Sequence, residues 1–377
     1  MFSGEYIWQL PDWPAWRYDL AALARPLAAV SQAQGLLLGR LADVGLGPRD
    51  EASLAALTDD VIKTSAIEGE ALQPASVRSS LARRLGVDIG ALAPVDRHVE
   101  GVVDMVLDAT GNADARLTEE RLFGWHAALF PTGHSGLTPI TTGGWRDDAH
   151  GPMQVVSGPL GRQRVHFEAP PAARLAGDVA RLLAWVNTPA PAEPALLRAG
   201  LGHLWFVTLH PFDDGNGRLA RAVGDLLLAR ADGSPQRFYS LSAQIQRERS
   251  AYYDMLEQTQ KQSDLDATAW LAWFLQTLQA ALAQAHQTLD AVLHKARFWQ
   301  QQPAVALNER QVKVLNRLLD GFDGKLTSSK WAAIAKCSAD TALRDLNDLV
   351  TRGLLQRSGA GGRSTSYELN QPSSAAR

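Results

Sequence analysis

Twelve consecutive residues, HPFDDGNGRLAR at 210–221, bring together a histidine, two aspartates, two glycines and two arginines. Gly215 and Gly217 flank Asn216, so the backbone there can approach a ligand closely. The helical pattern that follows offers free N–H groups and the positive end of a helix dipole, which together make an anion site. Arg218 and Arg221 stand at i and i+3 on one side of that helix, suited to successive phosphates. Asp214 supplies a carboxylate oxygen that can hold Mg2+ against those phosphates. His210 precedes the cradle, and an imidazole with an unperturbed pKa of about 6.5 accepts a proton at neutral pH. A metal-bound polyphosphate on one side and a base on the other equip a chain for phosphoryl or nucleotidyl transfer, where positioning and charge neutralisation do most of the catalysis.

Other phosphate and metal motifs fit less well. Gly215 to Ala220 formally matches G-x-G-x-x-A, but five residues separate the preceding apolar run from the first glycine, and Asp232 comes too early for a ribose contact. Gly324-Lys325 is followed by Leu326 rather than Ser or Thr, so no Walker loop is present. An EF-hand beginning at Asp213 would put Gly224 where a bidentate Glu belongs.

The elements that must position this loop are mostly helical. Ala/Leu-rich runs cover Tyr18 to about Leu46, and EASLAALTDDVIKTSAIEGE reads as a helix stopped at Gly69. Further helical stretches lie near Val77 to Leu85, Arg97 to Thr110, Thr118 to Phe130, Ala180 to Val186, Arg218 to Arg230 and Ala267 to Gln300. LWFVTL at 204–209 reads as either strand or helix. Glycine and proline punctuate residues 131–171, where two β-rich runs around Gly158-Pro159-Leu160-Gly161 signal a hairpin. Trp8, Trp13 and Trp16 form an aromatic clasp best read as packing.

The chain has 377 residues, 46% of them hydrophobic, with a formal net charge of −3. That balance excludes a nucleic-acid binder acting through overall charge. From Asn308 onward, however, 11 Lys and Arg face 7 Asp and Glu, a net of +4, so a small basic domain follows an acidic body. One cysteine, Cys337, allows no intrachain disulfide. The start lacks a basic and then apolar leader, and no run approaches the ~18–20 apolar residues of a membrane span. The expectation is a cytoplasmic protein with no membrane partner.

The loop resembles the Fic-domain signature H-P-F-x-[DE]-G-N-G-R-x-x-R, matched by His210, Pro211, Phe212, Asp214, Gly215, Asn216, Gly217, Arg218 and Arg221. The resemblance implies a mainly α fold, with a Fic-type helical core and a β-hairpin flap, and a protein adenylyltransferase that uses ATP and Mg2+. By that resemblance His210 deprotonates a Tyr, Thr or Ser hydroxyl of a target protein, and Asp214 is the metal ligand. Asn216 with the Gly215 and Gly217 amides holds the α- and β-phosphates, Arg218 neutralises the leaving pyrophosphate, and Arg221 reaches the γ-phosphate. Val155, Val156 and Ser157 would form a flap edge that pairs with an extended target segment, and Tyr252 and Tyr253 resemble a nucleoside-contacting pair. TSAIEGE resembles the inhibitory motif [ST]-x-x-x-E-[GN], with Thr64, Glu68 and Gly69 in the key places. Thr64 and Glu68 share a helix face, and a Glu68 carboxylate on Arg221 would take the guanidinium that ATP needs. The motif's place before the core resembles the self-inhibited class, whose members allow a homodimer.

Downstream of the core, LNERQVKVLNRLLDG, TSSKWAAIAK and SADTALRDLNDLVTRGLLQRSGAGGRSTSYEL resemble a C-terminal winged helix-turn-helix, with Ser338 to Arg352 as the recognition helix. Arg344, Arg357 and Arg363 suit phosphate contacts, whereas Asp345 and Asp348 oppose a groove-binding role, so DNA and protein both stand as partners. The expected organisation is an N-terminal helical region at 1–110 with its inhibitory helix at about 55–70, a catalytic core at 111–300, and a winged-helix domain at 304–370. Two alternative functions remain. One is a nucleotide-sensing, DNA-binding transcriptional regulator; the other is an enzyme that removes AMP or transfers another nucleotide.

Overall fold

Ala, Leu, Gln and Arg dominate the long runs, and these residues lose little freedom in a helix. The computed structural model describes residues 6–159, 161–301, 307–322, 324–358 and 365–370. It is mainly helical, and the chain divides into two compact units, Met1–Thr288 and Leu289–Arg377.

The first unit opens with a short 3-10 turn, Ile7–Gln9. Five helices follow: α1 (Leu20–Ala42), α2 (Leu46–Ile67), α3 (Pro74–Leu85), α4 (Arg97–Gly111) and α5 (Glu119–Leu129). Side chains of Asp19, Asp96 and Thr118 cap α1, α4 and α5 by accepting first-turn N–H groups. Two hairpins come next, β1 (His134–Ser135) with β2 (Thr138–Pro139), and β3 (Gln154–Ser157) with β4 (Arg164–Glu168). Both are antiparallel two-stranded ladders, and a bulge interrupts the second between Val155 and Val156. The remaining helices are α6 (Ala172–Asn187), α7 (Ala195–Leu209), α8 (Asn216–Asp232), α9 (Leu241–Arg247), α10 (Arg249–Gln260) and α11 (Thr268–Gln300).

The sequence left residues 204–209 open between strand and helix, and they fall in α7. Every residue from Leu196 to Leu209 is buried, so this helix has no polar face and its sequence carries no amphipathic period. α7 packs along α8, while α2, α4 and α5 also pack on α8, so α8 lies at the centre. The tryptophan clasp is packing: Trp8 and Trp13 are buried, and Trp8 Nε1 donates to the Glu168 carbonyl (2.7 Å) at the end of β4. The β3–β4 hairpin lies where turn chemistry expects one, although Leu160 at its tip is outside the described residues.

The second unit holds α12 (Glu309–Leu319), α13 (Ser328–Ala335), α14 (Ala339–Thr351), β5 (Leu355–Ser358) and β6 (Ser366–Leu369). β5 and β6 pair antiparallel, and a single bridge joins Leu326 to Tyr367. Trp331, Val314, Leu315, Leu346 and Leu349 fill its core. Asp345 is buried, accepting from Arg310 (2.9 Å) and Asn308 (3.0 Å), so it ties α12 to α14. Arg363 and the glycine-rich stretch 359–364 lie outside the described residues.

Candidate active site

The loop between α7 and α8 is held open by its own side chains. Asn216 is buried and uses both ends of its amide on Phe212: Oδ1 accepts from the Phe212 N–H (2.9 Å) and Nδ2 donates to the Phe212 carbonyl (2.7 Å). The Asn216 amide therefore shapes the loop. The Phe212 ring is fully buried, stacked on His126 at 4.2 Å and packed against Trp145 and Phe123. Arg146 staples the other side. Its N–H reaches the Pro211 carbonyl (3.0 Å), its Nε the His210 carbonyl (2.8 Å) and its Nη2 the Pro170 carbonyl (2.5 Å). Gly215 takes φ +79°, and a Cβ there would lie 2.9 Å from the Phe130 ring, so both conformation and space demand glycine.

His210 is itself in the left-handed region, φ 48°, at the C-terminal end of α7. A carbonyl only accepts, so Nδ1 must donate to the Val207 carbonyl (3.0 Å), and the neutral ring carries its lone pair on Nε2. Burial pushes this imidazole below its ordinary pKa, against the opposing Val207 bond. His126 beneath the loop is pushed down to about 4, again by burial. His210 is thus a neutral base at physiological pH.

Asp214 keeps its carboxylate at the rim. Oδ1 accepts from the Gly215 N–H (2.6 Å), and Oδ2 accepts from the Ser135 hydroxyl on the first hairpin. Asp213 turns away and accepts from the Thr141 N–H (2.8 Å). Among the described residues no cluster of three or more His, Cys, Asp or Glu could hold a metal alone. A single carboxylate suits Mg2+, which takes one or two protein carboxylates and completes its shell with water and phosphate oxygens.

The two arginines are almost wholly enclosed, and α2 with the turn that follows it supplies their partners. Arg221 donates through Nε to the Thr64 hydroxyl (2.8 Å) and through Nη2 to the Thr64 carbonyl (2.8 Å) and Glu68 Oε1 (2.7 Å). Arg218 Nη1 donates to Glu70 Oε2 (2.7 Å), and its guanidinium lies over the Phe130 ring. One nitrogen on each, Arg218 Nε and Arg221 Nη1, is buried without a hydrogen-bond partner among the described residues. A Cβ on Gly217 would land on the Glu68 carboxylate, so the absent side chain is what lets that carboxylate sit over the start of α8. Glu70 also accepts from His98 Nε2 (3.1 Å). Burial alone would raise the Glu70 carboxyl, but the His98 bond and the Arg218 charge hold it below its usual range, and the Glu70 bond raises His98 in turn.

Tyr252 and Tyr253 part company. Tyr252 is 1% exposed, its hydroxyl is on His203 Nε2 (2.9 Å), and its ring packs with Trp270 and Trp273. Tyr253 is half-buried, its hydroxyl 3.5 Å from the Ile67 carbonyl at the end of α2. On the hairpin, Val156 is 40% exposed, and the outer edge of β3 pairs with no strand among the described residues. Ser157 hydrogen-bonds His166 Nε2 (2.6 Å), whose Nδ1 meets Glu257 of α10 (2.6 Å). His210, Asp214, Gly215, Gly217, Arg218, Arg221, Thr64, Glu68 and Gly69 therefore gather around one helix start. Arg146, Ser135, Glu70 and His98 join them with no motif to announce it; only the second acidic residue in EGE gave a hint.

Residues 116–228 match the Fic/DOC family, and residues 6–87 match a domain family of unknown function, DUF4172. The 210–221 loop lies in the first region and the end of α2 in the second. No curated protein matches the chain. A solved Fic family protein from Desulfovibrio desulfuricans G20 is similar over 93% of this chain and 97% of its own, at 22% identity and a TM-score of 0.52. A Fic domain containing signaling protein from Bacteroides thetaiotaomicron VPI-5482 covers 72% of this chain and 98% of its own, at 17% identity and 0.52. Fic-1 (aa134–508) from C. elegans covers 73% of this chain and 74% of its own, at 17% identity and 0.50. These likenesses are in fold. The chain carries a Fic/DOC family domain at 116–228, of a family that in general transfers nucleoside monophosphates.

Proposed function

We propose that this chain is a protein adenylyltransferase held off by the end of its own α2. It moves AMP from ATP to a Tyr, Thr or Ser hydroxyl of a target protein, and of itself. The observation that carries the reading is the Glu68 carboxylate, an internal anion bonded to Arg221 (2.7 Å) over Gly217 at the start of α8. A buried arginine pair at a helix N-terminus is an anion cradle, and here a side chain of the chain itself fills it.

With Glu68 withdrawn, the backbone amides at 215–217 and the guanidinium groups of Arg218 and Arg221 receive the triphosphate. Asp214 would hold Mg2+, which supplies further neutralisation of phosphate charge. The target hydroxyl oxygen forms a bond to the α-phosphorus, the bond from that phosphorus to the bridging oxygen of the β-phosphate breaks, and pyrophosphate leaves. The hydroxyl proton goes to His210 Nε2, the lone-pair nitrogen. Val155, Val156 and Ser157 on the free edge of β3 would hold the target segment, with Tyr253 beside the nucleoside and Tyr252 supporting it from the core. The same cradle would serve another nucleotide or the reverse reaction, and the mass of the adduct separates these.

The test is incubation of the Glu68→Gly chain with labelled ATP and lysate, followed by mass spectrometry. Self-modification should rise at least tenfold over the unaltered chain, as expected when one carboxylate stops competing for a buried guanidinium. Adding His210→Ala should abolish it. No adduct from Glu68→Gly under any of these conditions would sink the transferase reading.

A second reading concerns the C-terminal unit. Asp345 is turned inward onto Arg310, which leaves Arg344 exposed on α14 without that acidic neighbour. Three helices and a two-stranded ladder support a winged helix-turn-helix, and DNA and protein both remain partners for it. A gel shift with the full chain and mixed-sequence DNA across a salt series decides between them, because phosphate contacts give a steep salt dependence.

A further inference from the structure

One helix end delivers two carboxylates to the cradle. Where α2 stops, Gly69 takes φ +87°, its N–H reaches the Ala66 carbonyl (3.1 Å) and the Glu70 N–H reaches the Ser65 carbonyl (3.0 Å). This pair of bonds is a Schellman stop. It brings residues on both sides of the glycine within reach of α8, so Glu68 meets Arg221 and Glu70 meets Arg218, each at 2.7 Å. The two arginines stand three apart on α8, and the two carboxylates stand two apart on the stop.

Glu70 is held as firmly as Glu68. His98, in the first turn of α4, grips the same Oε2 from a separate element (3.1 Å). Arg218 is 1% exposed, and Glu70 is its one carboxylate partner among the described residues. Withdrawing Glu68 frees Arg221 and the space over Gly217, yet it leaves the Arg218 charge neutralised.

We propose that Glu70 is a second, separable prong of the brake, competing with the pyrophosphate end of the nucleotide for Arg218, while His98 positions it. The inference rests on the adenylyl-transfer reading of the cradle and names its regulation. Removal of Glu68 alone gives a half-released enzyme, and full grip on the triphosphate requires both carboxylates to leave.

The experiment measures binding of magnesium pyrophosphate by calorimetry to the full chain carrying Glu68→Gly, or Glu68→Gly with Glu70→Gln, with self-modification followed in parallel. Gln keeps the size of the side chain and removes only its charge. The double variant should bind pyrophosphate about tenfold tighter than Glu68→Gly, the size expected for releasing one charge-assisted hydrogen bond. His98→Ala in the Glu68→Gly background leaves α2 and α8 untouched and should give part of that gain, which keeps the test alive should the double variant not fold. Unchanged or weaker pyrophosphate binding in these variants overturns the inference, because Glu70 would then be holding Arg218 ready for phosphate. Tighter pyrophosphate binding without an adduct in any variant would sink the transfer reading and leave the competition at Arg218 standing.

Discussion

The end of α2 and the β3–β4 hairpin both belong to the surroundings of the proposed catalytic loop, and they are built from opposite materials. On the phosphate side, Arg218 and Arg221 are 1–2% exposed, and each has a carboxylate at 2.7 Å. On the acceptor side, Val156 and Val165 form a cross-strand pair that is 40% and 37% exposed, and one edge of β3 pairs with no strand among the described residues. The hairpin is fastened by Glu257, which takes Arg164, His166 and Lys261 at once, all at or near the surface. Removing one partner of an enclosed ion pair strands the other, so the phosphate side behaves as a lock with few settings. Exposed pairs are each worth little and can be traded, so the acceptor side can adapt to different target segments. On the proposed reading, specificity for the nucleotide would come from burial on one side and tolerance toward the target from exposure on the other.

The sharpest way to break this contrast is Gly217→Ala. Alanine in place of glycine inside a helix ordinarily stabilises by about 1 kcal/mol. Here the new methyl would displace the Glu68 carboxylate and leave Arg221 with Thr64 alone and no counter-charge. Glu68 retains 28% exposure, so the cost should be about 2 kcal/mol, below that of a fully buried pair. Urea unfolding of the full chain measures it, and a net gain in stability would mean that the phosphate side is not a tight lock.

Much of this contrast was legible beforehand, for identifiable reasons. The loop at 210–221 concentrates special residues that no connecting segment needs, and TSAIEGE places Thr64 and Glu68 one turn apart, so short-range spacing carried both. The β3–β4 hairpin announced itself through Gly158 and Pro159. Long-range contacts carried no such mark. Arg146 reaches His210 from 64 positions away, and Ser135 reaches Asp214 from 79, and neither spacing has a period that a sequence can display. LWFVTL stayed ambiguous because a helix buried on every side erases the alternation that separates helix from strand. The two adjacent tyrosines differ only in burial, which their identity does not encode.

On the acceptor side the expected effect is smaller and falls on a different quantity. Val156→Asp places a charge on an exposed site of the free strand, so the fold should survive. In the Glu68→Gly background, transfer to a protein target should drop about tenfold while ATP affinity stays unchanged, as expected when one desolvated contact is spoiled. Calorimetry and target labelling read the two quantities separately. A parallel fall in ATP affinity would show that the two sides are coupled.

The base between the two sides adds a pH signature. Burial lowers the His210 pKa, so the ring stays neutral, and able to accept a proton, below the ordinary value of about 6.5. Activity of Glu68→Gly should therefore be lost only as pH falls through that lower value. An acid limb at or above 6.5 in kcat/KM would remove His210 from the role.

The smallest effect concerns the hairpin fastening. Its hydrogen bond from His166, more than those from Lys261 and Arg164, holds the Glu257 carboxyl at about 2, against an ordinary 4.5. A carboxyl depressed on folding contributes stability above its unfolded pKa and loses it as pH falls toward the folded value. The unfolding free energies of the unaltered chain and of Glu257→Gln should differ by a constant amount above pH 4.5 and converge as pH falls toward 2. Because the contacts lie at the surface, that difference should also shrink with added salt, whereas the effect of Gly217→Ala should not. A Glu257 contribution indifferent to salt would place the hairpin among the buried locks and remove the contrast between the two sides.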